Sequence, residues 1–138
     1  MFKDTVKWEI AEAERQRSAD VGRALTRQQR MYREGSAFFT KYDYFVCPVT
    51  QVEPFPIETE YPMRINEVAM PTYIDWMRSC WYVTFMATPA ISVPAGFSAR
   101  GLPVGLQIVG RPRDDWGVLQ LAYAFEQATR HGTKRPVV

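Results

Sequence analysis

One histidine and two cysteines are nearly all that this chain has of the side chains that hold transition metals. Cys47 and Cys80 form no Cys-x-x-Cys and share no metal-ligand spacing with His131, so the sequence offers no metal site and no dithiol redox motif. Both cysteines lie in apolar surroundings, which fits buried free thiols in a cytoplasmic protein. No apolar stretch approaches the ~18 residues that a membrane span needs. The opening residues MFKDTVKWEIAEAERQR are charged throughout, unlike a signal peptide. An excess of one charge is missing as well. The balance of 17 Lys+Arg against 15 Asp+Glu leaves +2, with no long basic block, so neither nucleic acid nor an anionic membrane is an expected partner. There is no internal repeat and no low-complexity segment.

What is present suits one soluble domain of 138 residues, 46% of them hydrophobic. The most ordered-looking stretch is Pro89–Gly110, PAISVPAGFSARGLPVGLQIVG. It reads as two strands, about 90–96 and 103–109. Gly101 supplies a positive φ in the connection, and Pro103 stands at a strand start where no ladder donor is needed. Gln107 reads as a hydrogen-bonded polar position within the sheet. Ahead of this hairpin, Val6, Ile10 and Ala13 recur at helical spacing and predict a helix over about 4–16. Ser18, with Asp20 in the first turn, opens a second helix over about 19–41. Its apolar face carries Gly35, which predicts close packing against a neighbour. Tyr44-Phe45-Val46-Cys47-Pro48 completes a short apolar strand over about 43–48. Val49–Met70, with Pro54, Pro56 and Pro62, reads as a long irregular loop. Thr72 opens an aromatic helix over about 72–86 that is either buried all round or borders a pocket. Asp114 caps a last helix over about 115–131. Arg130 and His131 stand at its negative end, and Gly132 follows as the natural terminator. The order predicts an α/β fold with a small mixed β-sheet flanked by helices.

Several of these residues carry a family likeness. PAISVPAGF, GLPVGLQIVG and the Asp-led helix after them resemble the C-terminal part of the amidase signature family of carboxamide-cleaving serine hydrolases. Arg30 through Tyr42-Asp43 to Pro48, the run Pro48–Phe55, and Tyr73–Met77 extend the resemblance over nearly the whole chain. One departure falls just before Pro89. The family pattern Asn-x-Thr-Gly-x is here Thr84-Phe85-Met86-Ala87-Thr88, and Ala87 in place of glycine predicts an altered helix-to-strand corner.

The resemblance implies the C-terminal part of an α/β/α fold, no cofactor and no metal, and a small-molecule amide as substrate of the complete enzyme. It also implies a serine nucleophile, a cis-serine and a lysine base far upstream. Those are not in this sequence. Ser18, Ser36, Ser79, Ser92 and Ser98 are solitary, and no Gly-Ser-rich loop or nucleophile elbow surrounds any of them. No catalytic residue is therefore assigned. By resemblance, the residues that border a substrate pocket are Trp81, Phe85 and Met86 of the aromatic helix, with Thr50 ahead of it. The expectation is a C-terminal portion of an amidase-type hydrolase, inactive alone. A stand-alone binding or assembly module that retains the same layer is the alternative. A cut sheet also predicts self-association or an N-terminal partner chain.

Overall fold

The computed structural model describes residues 2–135. Helix α1 (Asp4–Arg15) and helix α2 (Ser18–Phe38) lead into strand β1 (Phe45–Pro48). Two short strands, β2 (Arg64–Ile65) and β3 (Val68–Ala69), follow inside the segment expected to be irregular. Helices α3 (Tyr73–Trp76) and α4 (Arg78–Phe85), strands β4 (Ala90–Phe97) and β5 (Pro103–Val109), helix α5 (Asp115–Thr129) and a 3-10 turn (His131–Thr133) complete the chain. The α/β class stands. The main sheet within it has the order β1-β5-β4 and is antiparallel in both pairings, where the sequence predicts a mixed sheet. The reason is local. The short turn at Gly101 (φ 77) returns β5 directly beside β4, and β1 then takes the opposite side of β5 in the reversed direction.

The ladder shows why two prolines sit in this sheet. Val49 donates to the Gly105 carbonyl at 3.3 Å, and Gly110 donates to the Pro89 carbonyl at 3.0 Å. Antiparallel pairs alternate between bonded and non-bonded, so the registers make Phe45 and Cys47 bond inward, while Val46 and Pro48 turn their main-chain groups to the open side. On the opposite edge Pro94 faces outward in the same way, which lets β4 run on to Phe97. A register shift between Pro94 and Gly96 bends the strand there, with Gly96 at φ 114.

The sheet packs on both faces. On one, Val93 and Ile108 meet Ala122 of α5, with Leu106, Leu121 and Phe125 around them. On the other, Val109 meets Phe39 and Val83, and Met86 packs against them. Gly35 belongs to this second layer. An added Cβ would lie 3.3 Å from Met86 Sδ, so glycine lets α2 approach α4 closely. Asp114 caps α5 through Gly117 N–H at 3.1 Å. The end of that helix departs from expectation. Arg130, not Gly132, takes the left-handed terminating conformation (φ 52). His131 lies beyond the helix, in the 3-10 turn, with its ring against Gly96, so it packs on β4 rather than serving the helix dipole.

Two expected elements differ more. The helix over 72–86 is broken at Met77. Gln51 Nε2 donates to the carbonyls of Asp75 (3.3 Å) and Trp76, which would otherwise accept from the next helical turn. Cys80 N–H bonds Met77 O instead, at 2.8 Å. The segment 49–70 contains the β2–β3 hairpin, turned at Asn66 with φ 51. Helix α1, with its expected apolar face, buries nothing: Trp8 and Ile10 are exposed. No helix among the described residues is long and apolar enough to cross a membrane.

Candidate functional site

A cleft of about 850 Å³ opens beyond the end of β1. Its floor is Gly105 and Leu106 of β5 with Ser92 of β4, and its walls are the segment Cys47–Phe55 and the side chains of Trp76 and Ser79. Each wall is tied in place. Thr50 Oγ1 donates to Val52 O at 2.8 Å. Ser79 Oγ and Cys80 Sγ both donate to Val49 O, at 3.3 and 3.2 Å, and fasten α4 to the start of the loop. Phe55 stands edge-to-face on Trp76, centroids 5.4 Å apart. Arg100 from the β4–β5 turn bonds Glu53 at 2.8 Å and Pro54 O at 3.2 Å, and so pins the far end of the loop. Glycine at 105 keeps the floor low, since a Cβ there would lie 3.0 Å from Val49 Cγ2 and 3.1 Å from Ser92 Oγ.

Ser92 contributes a hydroxyl, but none of the lining residues is a lysine or histidine that could take its proton. Among the described residues no cluster of His, Cys, Asp or Glu could hold a metal ion. The thiols are free and half-buried rather than buried. Cys47 donates to Gln107 Oε1 at 3.4 Å, which supplies the partner expected for that glutamine. Burial, and secondly the nearby Cys80, push the Cys47 thiol above the ordinary thiol range. A thiol raised in the folded state favours folding below the unfolded value, and that contribution is lost as pH rises through the folded one. In a Cys80→Ser variant, alkylation of Cys47 by iodoacetamide is therefore expected to titrate above a free cysteine peptide measured alongside. Titration at or below the peptide's value would contradict the burial argument.

The residues the sequence assigned to a pocket do not converge. Thr50 lines the large cleft. Phe85 borders a separate hollow of about 250 Å³ with Tyr32 and Arg33 of α2. Met86 lines an apolar notch of about 280 Å³ and packs in the core. Trp81 lines none of these three; its indole N–H bonds Ile74 O at 3.1 Å and locks α4 to α3. Residues the sequence reading missed, above all Trp76, Phe55 and Ser79, form the cleft walls. Phe55 lies between Pro54 and Pro56, an aromatic between loop-breakers, which is the signal that could have found it. Ala87, where the family likeness predicted an altered corner, is in the left-handed region at φ 52, a conformation glycine adopts without strain.

This arrangement of a β4–β5 hairpin, an aromatic helix before it and a capped helix after it is a known one. It superposes on a bacterial aryl acylamidase of the amidase signature enzymes with a TM-score of 0.85, at 23% identity, over 99% of this chain and 29% of that one. The family model described as Amidase matches residues 1–119, and the chain belongs to that family. Relatives by sequence include an acylamidase of Rhodococcus erythropolis, 37% identical over 91% of this chain and 26% of its own length. A component of a glutamyl-tRNA(Gln) amidotransferase from Thermodesulfovibrio yellowstonii is 55% identical over 72% of this chain and 19% of its own length. The chain thus spans about a quarter or less of the length of these curated relatives.

Proposed function

We propose that this chain is the C-terminal portion of an amidase-type hydrolase and is catalytically silent by itself. In the complete enzyme a serine hydroxyl, deprotonated by its base, attacks the carboxamide carbon. The C–N bond then breaks as the amine leaves with a proton, and water releases the acid from the acyl-serine. This chain supplies neither the nucleophile nor the base. It supplies three strands of the sheet, the α5 cover over one face, and part of a pocket wall. The wall is the large cleft, with Thr50, Trp76 and Ser79 as the contacting side chains. Trp81, Phe85 and Met86 belong to the helical segment behind that wall. The substrate is a small-molecule amide bound by the assembled enzyme, and free thiols suit a reducing, cytoplasmic setting.

The observation that carries this reading is the pairing of family similarity over nearly the whole chain with solitary serines. The chain aligns with relatives several times longer, yet the cleft that holds Ser79 and Ser92 has no lysine or histidine in its lining. Removing nucleophile and base from serine hydrolases costs on the order of a millionfold in turnover. The purified chain is therefore expected to show no adduct with a serine-directed fluorophosphonate by mass spectrometry, and no turnover of p-nitroacetanilide above buffer. A stoichiometric serine adduct, or saturable turnover, would refute it.

A further inference from the structure

Helix α5 is apolar on two sides, and the sheet uses only one of them. Gly117, Val118 and Ala122 form its buried side, and Leu121 and Phe125 pack on the sheet beside Ala122. On the opposite side Trp116, Leu119 and Tyr123 recur at spacings of three and four residues, which is one stripe of a helix. They are 70%, 49% and 66% exposed. No charged residue stands between Trp116 and Tyr123 in the sequence. A helix with apolar residues on both sides is covered on both sides, and a contiguous aromatic stripe on a surface marks a contact. Charges stand only beyond the stripe. Arg113 precedes the helix and Glu126 lies in its last turns; both are exposed, and neither makes an ion pair among the described residues.

We propose that α5 pairs antiparallel with α5 of a second copy of this chain through the stripe Trp116, Leu119 and Tyr123. The occupant follows from symmetry. A two-fold axis crossing the helix between Leu119 and Gln120 leaves Trp116 and Tyr123 equally far on either side, and Arg113 and Glu126 likewise. Two helices that share this axis set Trp116 of each copy against Tyr123 of the other, with both Leu119 side chains at the centre. The same register brings Arg113 of each copy to Glu126 of the other, so both ends of the pair gain opposite charges. Such self-complementarity is what an isologous contact requires, and a different partner would gain nothing from it. Tyr123 and Glu126 lie past residue 119, where the match to the Amidase model ends. Three apolar side chains from each copy make a small interface, so the dimer is a weak and reversible one. The pairing does not depend on whether the chain is part of a hydrolase.

Sedimentation velocity over a concentration series is expected to show a reversible monomer–dimer equilibrium of the chain. Tyr123→Asp is expected to raise the dimer dissociation constant by about tenfold or more. Arg113→Glu and Glu126→Arg are each expected to raise it by about fivefold or more, because either change places like charges at both ends of the pair. An equimolar mixture of these two charge variants is expected to recover dimerisation, since one chain then presents glutamates at both positions and the other presents arginines. All three positions are exposed, so each variant is expected to keep the wild-type circular dichroism and urea midpoint when dilute enough to be monomeric. A chain that stays monomeric up to about 1 mM overturns the pairing. So does a dimer that withstands Tyr123→Asp, which would give the contact to another surface. A mixture of the charge variants that associates no better than either alone overturns the antiparallel register.

Discussion

Replacing Ile108 by alanine is expected to cost about 2–5 kcal/mol of folding stability. Ile108 is 1% exposed in the middle of the central strand, between Val93 on β4 and Ala122 on α5. It faces the layer in which α5 closes over β4 and β5. The removed atoms lose their transfer free energy, and the neighbours cannot collapse into the gap. Ile91, Leu106, Leu121 and Phe125 ring the site, but they are fixed by the β4–β5 ladder on one side and by the α5 backbone on the other. Set against the roughly 5–15 kcal/mol that holds a typical domain, the loss is a large fraction. The expected readout is a lower urea midpoint with unchanged slope, because the surface exposed on unfolding is nearly the same. Leu119→Ala is the internal control. Leu119 is on the same helix but 49% exposed, and it is expected to stay within about 0.5 kcal/mol of wild type. Equal effects at the two positions would mean that the α5 layer is not the core of this chain.

The layer that dominates stability is also the part most legible in the sequence. Proline and glycine mark both ends of β4 and β5, and Asp114 announces α5, because these residues act through backbone geometry within a few positions. The cleft was not legible for the opposite reason. Where the aromatic helix breaks at Met77, Gln51, far away in the chain, takes the Asp75 and Trp76 carbonyls. With that break Trp76 lines the cleft, while Trp81 is turned to Ile74. Periodicity over 72–86 has no information about a side chain at position 51. The β2–β3 hairpin hides in the same way. Two residues per strand are too few for alternation to register, and only Asn66 in the link gives a sign. The exposed stripes of α1 and α2 are a different case. Their apolar spacing predicts a covered face, yet Val21 and Leu25 stay half exposed in the described fold.

Gly110→Ala is expected to destabilise the chain by about 1–3 kcal/mol, and the loss is expected to shrink when Val118 is also made alanine. A Cβ on Gly110 would fall 2.4 Å from Val118 Cγ2. Val118 is 3% exposed and belongs to the buried side of α5, so its methyl has no empty space to enter. A β-branched side chain in a helix has one strongly preferred χ1, which removes the other means of escape. Main-chain movement at Gly110 is resisted as well, since its N–H bonds Pro89 O at 3.0 Å and closes the β4–β5 ladder. The remaining response is for α5 to lift away from the sheet, which loosens the layer around Ile108. Val118→Ala alone removes two methyl groups and costs about 1–2 kcal/mol by transfer. In the double variant the methyl introduced by Gly110→Ala occupies part of the space that the Val118 side chain vacated. The two changes should therefore be less than additive by at least about 0.5 kcal/mol in a double-mutant cycle on urea midpoints. Strict additivity would show that the two positions do not touch and that α5 is set on the sheet by something other than this contact.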